Sequence, residues 1–450
     1  MSILKIISKP LPTKRNNRRV WIETKKLHDT NFTDSLSYDY SIDHKTKTLT
    51  LTPSLLGRKI TLRKNNTPVI DINNAEMTSL FEGIDKVNII IFTDKIVIKP
   101  LKEEMQQSRA REKLKRSKHD FIDVFAGAGT LTEAFKKHMK PSFAVELEKK
   151  YVDMYEVNNP NTTTYNTSVT EMDVDLLPDS SVVIGGVPCE DYSIAGISKK
   201  KSMGKGVKEA GITGSLGYFF LKVVEAVRPA YVVIEEVPGF GTSGMRDIVV
   251  STLKAYGYNI LMEKILRADD FGSMTNRRRY CLVCQIDRKD GVVAEFDFIL
   301  ENATAKRSAK RSAKTVGSIL EIPLENRHWL TPENSATLRY TLSKEIADKK
   351  AGKGFRIGRT LATDTSVVTI SKGYYKFRTT DPILVDPQNP NRFSQFTPRE
   401  LARIHGLPDD YILPASKTPA GEIIGQGVAQ EPFEAVARAI IKDKGINYVN

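Results

Sequence analysis

The chain has 450 residues, 40% of them hydrophobic and 27% charged, a composition that suits a folded protein of two or three domains. No uninterrupted apolar run approaches the roughly 18 residues of a membrane span, and the basic first thirty residues carry no apolar signal core, which argues against membrane insertion and secretion. Lys and Arg outnumber Asp and Glu by 68 to 54, a net +14 that suits an acidic polymer partner such as nucleic acid. The three cysteines, Cys189, Cys281 and Cys284, are too few and too badly placed for a disulfide framework and point to a reducing, cytoplasmic compartment.

Residues 1–100 read as short strands separated by turns: 20–22, 49–52, 60–62, 87–92 and 96–98. Arg19-Val20-Trp21-Ile22-Glu23 and Val69-Ile70-Asp71-Ile72-Asn73-Asn74 resemble small swapped-hairpin barrels of the transcription-regulator type, so this β-rich N-terminal module is read as either an auxiliary DNA-binding element or a structural one. Residues 101–118, LKEEMQQSRAREKLKRSK, have almost no apolar stripe and form a solvated helix or linker at a domain boundary. From Asp120 apolar strands (121–125, 143–146, 182–186, 231–235, 280–285) alternate with helical stretches such as 216–227, the pattern of an α/β fold with a doubly wound, mostly parallel sheet. The basic repeat AKRSAKRSAK, 305–314, reads as a surface loop or arm, and the polar, irregular 315–391 as an inserted small domain before a helix resumes at Pro398.

Four segments carry chemistry. In Asp123-Val124-Phe125-Ala126-Gly127-Ala128-Gly129-Thr130-Leu131 a strand runs into a glycine turn that opens a helix over 132–138. About 20 residues on, Glu146 ends the next strand, where a carboxylate can take both ribose hydroxyls of an adenosine-bearing cofactor. In Gly185-Gly186-Val187-Pro188-Cys189-Glu190-Asp191 the proline fixes the backbone before Cys189, which would be displayed as a thiolate nucleophile at a strand's carboxyl end. Val232-Val233-Ile234-Glu235-Glu236 ends a strand in two carboxylates, of which alternation lets only one face the pocket. Thr275-Asn276-Arg277-Arg278-Arg279-Tyr280 opens a strand beside the same site, and Cys281-x-x-Cys284, without a second pair or a His cluster, reads as strand packing and not as a metal site.

Taken in order, DVFAGAGTLTEAF, VPCEDYS, VIEEVPGF, NRRRY, RFSQFTPRELARIHGLPDDY and GQGV resemble the DNA cytosine-5 methyltransferase family over residues 119–300 and 392–445. The resemblance implies a Rossmann-like catalytic domain formed by 119–300 plus 392–450, with a target-recognition domain at 301–391. It implies that S-adenosylmethionine is held by Phe125, Ala126, Gly127, Gly129, Thr130, Leu131, Glu146, Leu147, Ser168, Val169, Pro188, Leu216, Gln426 and Val428, with no metal. It also implies that Gly425 and Val428 close the pocket, that Cys189 is the nucleophile, that Glu235 contacts the cytosine ring, and that Arg277 and Arg279 are the arginine pair of the site. Thr397, Pro398, Arg399 and Glu400 would begin a helix that braces the recognition region.

Those residue types suit the reaction. Cytosine C5 attacks a methyl sulfonium only after a thiolate adds at C6, and the addition is easier if N3 gains a proton or strong hydrogen bond, which Glu235 supplies only if burial keeps it protonated, while an arginine holds O2. The base must first leave the helix. The partner expected is double-stranded DNA, met by a nucleoid-associated monomer with no membrane contact, and a separate restriction endonuclease is a further expected partner. The 112 residues between Arg279 and Arg392 are long enough for one recognition domain, with Lys350, Lys353, Arg356, Arg359, Tyr374, Tyr375, Lys376 and Arg378 as phosphate and base readers.

The chain departs from the family at Glu190 (usually Gln), Glu236 (usually Asn) and Gln426 (usually Asn), and lacks an acid near Thr167 and Ser168. Ionised, Glu190 and Glu236 cannot donate as amides do and would add negative charge near the pocket. Three alternatives to plain DNA methylation remain: RNA cytosine methylation, since one branch of the family acts on transfer RNA, use of a modified sulfonium donor, and DNA binding with weak or lost turnover.

Overall fold

The computed structural model describes residues 2–33, 35–116, 118–188, 215–286, 314–354, 356–377 and 380–442. The chain divides into two compact units, Met1–Glu112 and Lys113–Asn450, and the division falls inside the helix Lys102–Leu114. Among the described residues no helix is long and apolar enough to cross a membrane.

The first unit is built from two antiparallel sheets. One has six strands, ordered Ile3–Pro10, Lys86–Phe92, Ile96–Pro100, Thr48–Pro53, Ser37–Asp43, Lys59–Ile60. The other has four, ordered Thr13–Lys14, Asn17–Glu23, Thr67–Asn73, Leu62–Lys64. Period-two alternation sends Val20, Ile22, Ile70, Ile72, Ile89 and Ile91 into one core while Arg19, Trp21 and Asp71 stay on the outer side. Both hairpins of the smaller sheet turn on a pair of left-handed residues, Arg15-Asn16 (φ 52° and 64°) and Asn65-Asn66 (φ 47° and 59°), the backbone a two-residue turn needs to match strand twist.

Among the described residues the main sheet of the second unit has seven strands: β1 (Asp120–Val124), β2 (Lys140–Glu146), β3 (Thr163–Asn166), β4 (Val182–Gly186), β5 (Tyr231–Glu236), β6 (Tyr258–Arg267) and β7 (Arg278–Ile286). Their order is β3-β2-β1-β4-β5-β7-β6; β3 to β5 pair in parallel, while β7 runs antiparallel to both β5 and β6. Central strands such as 182–184 and 231–234 are buried on both faces, which is why they read as continuous apolar runs. Helices α1 (Thr130–Phe135), α2 (Lys149–Asn158), α3 (Leu216–Val227) and α4 (Gly244–Ala255) cover the sheet. The first is shorter than the stretch expected over 132–138 and starts two residues earlier, directly on Gly129.

The segment expected to be irregular holds more order than its sequence suggests: helix α5 (Ala336–Lys350) and a small sheet of β8 (Gly358–Thr360), β9 (Pro382–Asp386) and β10 (Asn389–Ser394). Helix α5 escapes a periodicity reading because it buries only Leu338, Thr341 and Asp348. Three helices end the chain, α6 (Pro398–Ile404), α7 (Lys417–Gln426) and α8 (Gln430–Lys442), of which α8 packs on α1. Thr397 and Glu400 form a reciprocal cap at the start of α6, and Glu400 also pairs with the fully buried Arg327 and accepts from the Glu321 amide at 2.8 Å, so one carboxylate ties α6 to the preceding segment.

Candidate active site

The parallel strands end in a row. Cross-strand pairing sets Val124 beside Val145 and Gly185, Glu146 beside Asn166, and Gly186 beside Glu235, so the glycine turn and two carboxylates share the carboxyl edge of the sheet. After β1 the chain turns through Phe125 at φ 62°, Gly127 at 55° and Gly129 at 85°. The left-handed backbone at Phe125 is rare for a bulky residue and marks a turn held by its surroundings. Gly129 is required twice over, since a Cβ there would also press on Tyr155 and Asn159 at 3.0 Å. Ala126, Thr130 and Leu131 are buried beneath the turn.

Glu146 faces this turn: Oε2 accepts from the Gly127 amide at 2.9 Å and Oε1 from the Glu148 amide at 2.8 Å. Burial raises its carboxyl above the ordinary range, opposed by those amides. Asn166 donates to the carbonyls of Glu146 and Leu147, which draws the loop carrying Ser168 and the buried Val169 alongside; the Leu147 side chain is exposed. Under the turn lies Asp123, fully buried, accepting from the Thr132 hydroxyl at 2.5 Å and pushed up to about 7, chiefly by burial.

On the other side of β4, a Cβ at Gly186 would lie 3.0 Å from Glu235 Oε2, so the glycine leaves room for that side chain. Glu235 pairs with Arg279 at 2.6 Å, both side chains mostly buried. Arg277 goes elsewhere. Its guanidinium donates to the carbonyls of Ile370 (3.1 Å), Gly425 (3.0 Å) and Gln426 (3.3 Å), so the structure brings only one of the two arginines to Glu235. Pro188 is the last described residue of its segment; Cys189, Glu190 and the repeat at 305–313 lie outside the described residues, as does Arg378.

The structure corrects the expectation that Glu236 adds charge to the pocket. It follows Glu235 on β5 and therefore takes the opposite face, where it is 1% exposed; Oε2 accepts from the Val237 amide at 2.6 Å. Burial, reinforced by the charge of Glu235, pushes its carboxyl up to about 9, so at neutral pH it holds its proton and can donate as an amide would. The reader assignments also change. Tyr374 is buried with its hydroxyl accepting from the Phe396 amide at 2.9 Å, Tyr375 donates to the Phe396 carbonyl at 2.8 Å, and Arg359 forms a two-point pair with Glu345 at 2.8 and 2.7 Å. The two tyrosines are anchored on Phe396, and Arg359, paired to Glu345, stays exposed together with Lys350, Lys353, Arg356 and Lys376.

The C-terminal segment walls the glycine turn. A Cβ at Gly427 would press on Thr130 at 2.6 Å, Gln430 donates to the Thr130 carbonyl at 2.8 Å, and Val428 is buried. Gln426 and Leu216 are more open. Sequence reasoning missed His405, fully buried at the end of α6, with neither ring nitrogen hydrogen-bonded among the described residues. Burial, then the charges of Arg277 and Arg279, hold it neutral. A histidine placed directly between Ile404 and Gly406-Leu407, after Leu401-Ala402, was the available signal. Cys281 and Cys284 are buried in β7, where burial raises both thiols.

A mostly parallel sheet with a glycine turn and carboxylates along its carboxyl edge is the arrangement of an α/β enzyme whose ligand cleft lies at that edge. The C-5 cytosine-specific DNA methylase family matches residues 119–442, and the chain belongs to that family, an enzyme of the DNA (cytosine-5-)methyltransferase class. It is similar to the type II methyltransferase M1.ScrFI of Lactococcus lactis subsp. cremoris, 28% identical over 350 residues that span 74% of this chain and 80% of that one. It is also similar to M.NlaX of Neisseria lactamica, 27% identical over 322 residues, 70% of this chain and 94% of that one. In fold it is similar to the Dnmt2 methyltransferase of S. pombe, at a TM-score of 0.57 and 17% identity over 72% of this chain and 99% of that one. The family match begins after the first unit ends.

Proposed function

We propose that this chain transfers a methyl group from S-adenosylmethionine to C5 of cytosine within a specific double-stranded DNA sequence, by way of a covalent bond from Cys189 to C6 of a flipped-out base. The observation that carries the reading is the Glu235–Arg279 pair, buried at the edge that also holds the glycine turn. The residues fit the donor: among the described residues a Cβ at Gly127 would meet nothing within 4 Å, and Glu146 ends the neighbouring strand as a two-oxygen acceptor. Phe125, Gly127, Gly129, Leu131 and Glu146 would hold it, with Leu147, Ser168, Val169, Pro188, Leu216, Gln426 and Val428 around them. Bound there, S-adenosylmethionine supplies an electrophilic methyl on a sulfonium.

The Cys189 thiolate forms the S–C6 bond and drives the ring electrons toward C5. Glu235 would face the N3 edge and, after taking up a proton as the base binds, share it with N3, while Arg279, its ion-pair partner, would hold O2. Once C5 carries the methyl, a base removes the C5 proton, the S–C6 bond breaks, and the thiolate leaves. Unstacking the base takes a few kcal/mol, which phosphate contacts from exposed Lys350, Lys353, Arg356 and Lys376 would offset. A type II name on the relatives supports a separate endonuclease partner.

A random-sequence duplex library treated with the purified protein and read by bisulfite sequencing should return 5-methylcytosine at one recurring sequence. A duplex carrying 5-fluorocytosine at that site should give an adduct that survives denaturation, absent in Cys189→Ser. Methylation of a transfer RNA pool and not of the duplexes would replace DNA by RNA as substrate, and an adduct undiminished in Cys189→Ser would remove that residue from the mechanism.

A further inference from the structure

The two walls of the cofactor cleft come from distant parts of the chain, one from β2 and the start of α2, the other from the end of α7. Tyr151 joins them. Tyr151, in the first turn of α2 and five residues after Glu146, donates from its hydroxyl to Glu422 Oε1 at 2.8 Å and accepts there from Gln426 Nε2 at 2.5 Å. The same Glu422 oxygen receives Lys150 at 3.3 Å and Lys372 at 3.4 Å. Gln426 is fixed from its other end by Arg277, which holds its carbonyl, and by Gly427, which has no room for a side chain against Thr130.

We propose that Tyr151 is a positioning residue that clasps the two walls of the cofactor cleft through Gln426 and Glu422, and that Gln426, one methylene longer than the asparagine usual at this place, is what reaches it. The inference rests on the proposed cofactor reading. Tyr151 lies outside the glycine turn, and among the described residues its side chain meets Glu422, Gln426 and Lys150; it acts by fixing where the Gln426–Val428 wall stands relative to Glu146. The carboxylate of Glu422 orients the hydroxyl, since an acceptor-only group forces Tyr151 to donate to it and leaves the phenol oxygen free to accept from the Gln426 amide. The glycine turn is held to Glu146, and Arg277 to Ile370 and Gly425, by bonds in which Tyr151 takes no part.

The test is isothermal titration of the full chain with S-adenosylhomocysteine, for the wild type, Tyr151→Phe, Gln426→Asn and the double variant. Each single change should weaken binding by about fivefold, the size of one lost hydrogen bond. The double variant should be no weaker than the worse single, because both break the same bond. Affinity for a target duplex without cofactor should stay within about twofold, a readout that general loosening of the fold would move. Unchanged binding by Tyr151→Phe, tighter binding by Gln426→Asn, or losses that multiply in the double variant would overturn the clasp alone. Failure of the wild type to bind would remove the cofactor reading and the clasp together.

Discussion

Replacing Glu236 by Gln should change how the protein's stability depends on pH. In the folded chain this carboxyl keeps its proton up to about 9, against an ordinary 4.5, because it is buried beside the negative Glu235. Between those two values the folded state binds a proton that the unfolded state has released, so stability falls as pH rises, by about 1.4 kcal/mol for each pH step of one. From pH 5 to pH 8 this group alone withdraws roughly 4 kcal/mol, a large part of a typical domain's margin. Gln keeps an acceptor for the Val237 amide and has nothing to ionise, so the variant should match the wild type near pH 5 and exceed it by a few kcal/mol at pH 8. Calorimetry of both proteins at pH 5, 6, 7 and 8 measures this while resolving the transition of the second unit from that of the first. Asp123, pushed up to about 7, contributes in the same direction but equally to both proteins, so the difference belongs to Glu236. Parallel pH curves for the two proteins would refute the buried, proton-bearing state.

Three further outcomes are expected. Arg277→Ala leaves the carbonyls of Ile370, Gly425 and Gln426 without their donor and should lower stability by about 3 kcal/mol in denaturant titrations, with DNA affinity falling as the insert loosens. Arg279→Ala should lower turnover by about 100-fold at a smaller stability loss, since its partner is the site acid. Gly425→Ala would drive a Cβ into the Ser371 carbonyl and the Lys372 amide, both backbone, and should cost about 1–3 kcal/mol by thermal unfolding.

The central strands were legible because a strand buried on both faces must be apolar throughout: 182–186 was placed to the residue, and 231–235 within one. The glycine turn and the two-acid ending of β5 were legible for the same local reason, that φ and alternation are fixed by neighbouring residues. Alternation also forced the choice between Glu235 and Glu236, although which one turned inward needed the register with Gly186 and Cys281. What failed to show in the sequence depends on distant partners. Arg277 looks like Arg279 in the chain, yet its acceptors lie 93, 148 and 149 residues away. Tyr374 reads as an exposed reader because an aromatic beside Lys376 is equally consistent with either fate, until Phe396 is found against its hydroxyl. The ionisation of Glu236 is likewise a property of its burial and not of its residue type.

The arginine motif is therefore two devices on one strand. Arg277 and Arg279 are two apart, so both leave the same face of the chain as it enters β7, but they reach in different directions. Arg279 stops at Glu235, within the sheet, and fixes the acid's orientation. Arg277 crosses to three carbonyls, one in the insert and two at the end of α7, and so sets both segments against the entry to β7, the strand that pairs with the Glu235-bearing β5. Carbonyls are the right acceptors for such a joint, since they make no demand on side-chain identity: the segments around Ile370 and Gln426 can change sequence while the frame stays. Gly425 is the exception, because the insert's backbone passes where its Cβ would be. A framework of this kind lets the insert change in sequence while the distance from Glu235 to the glycine turn is kept by strand pairing alone.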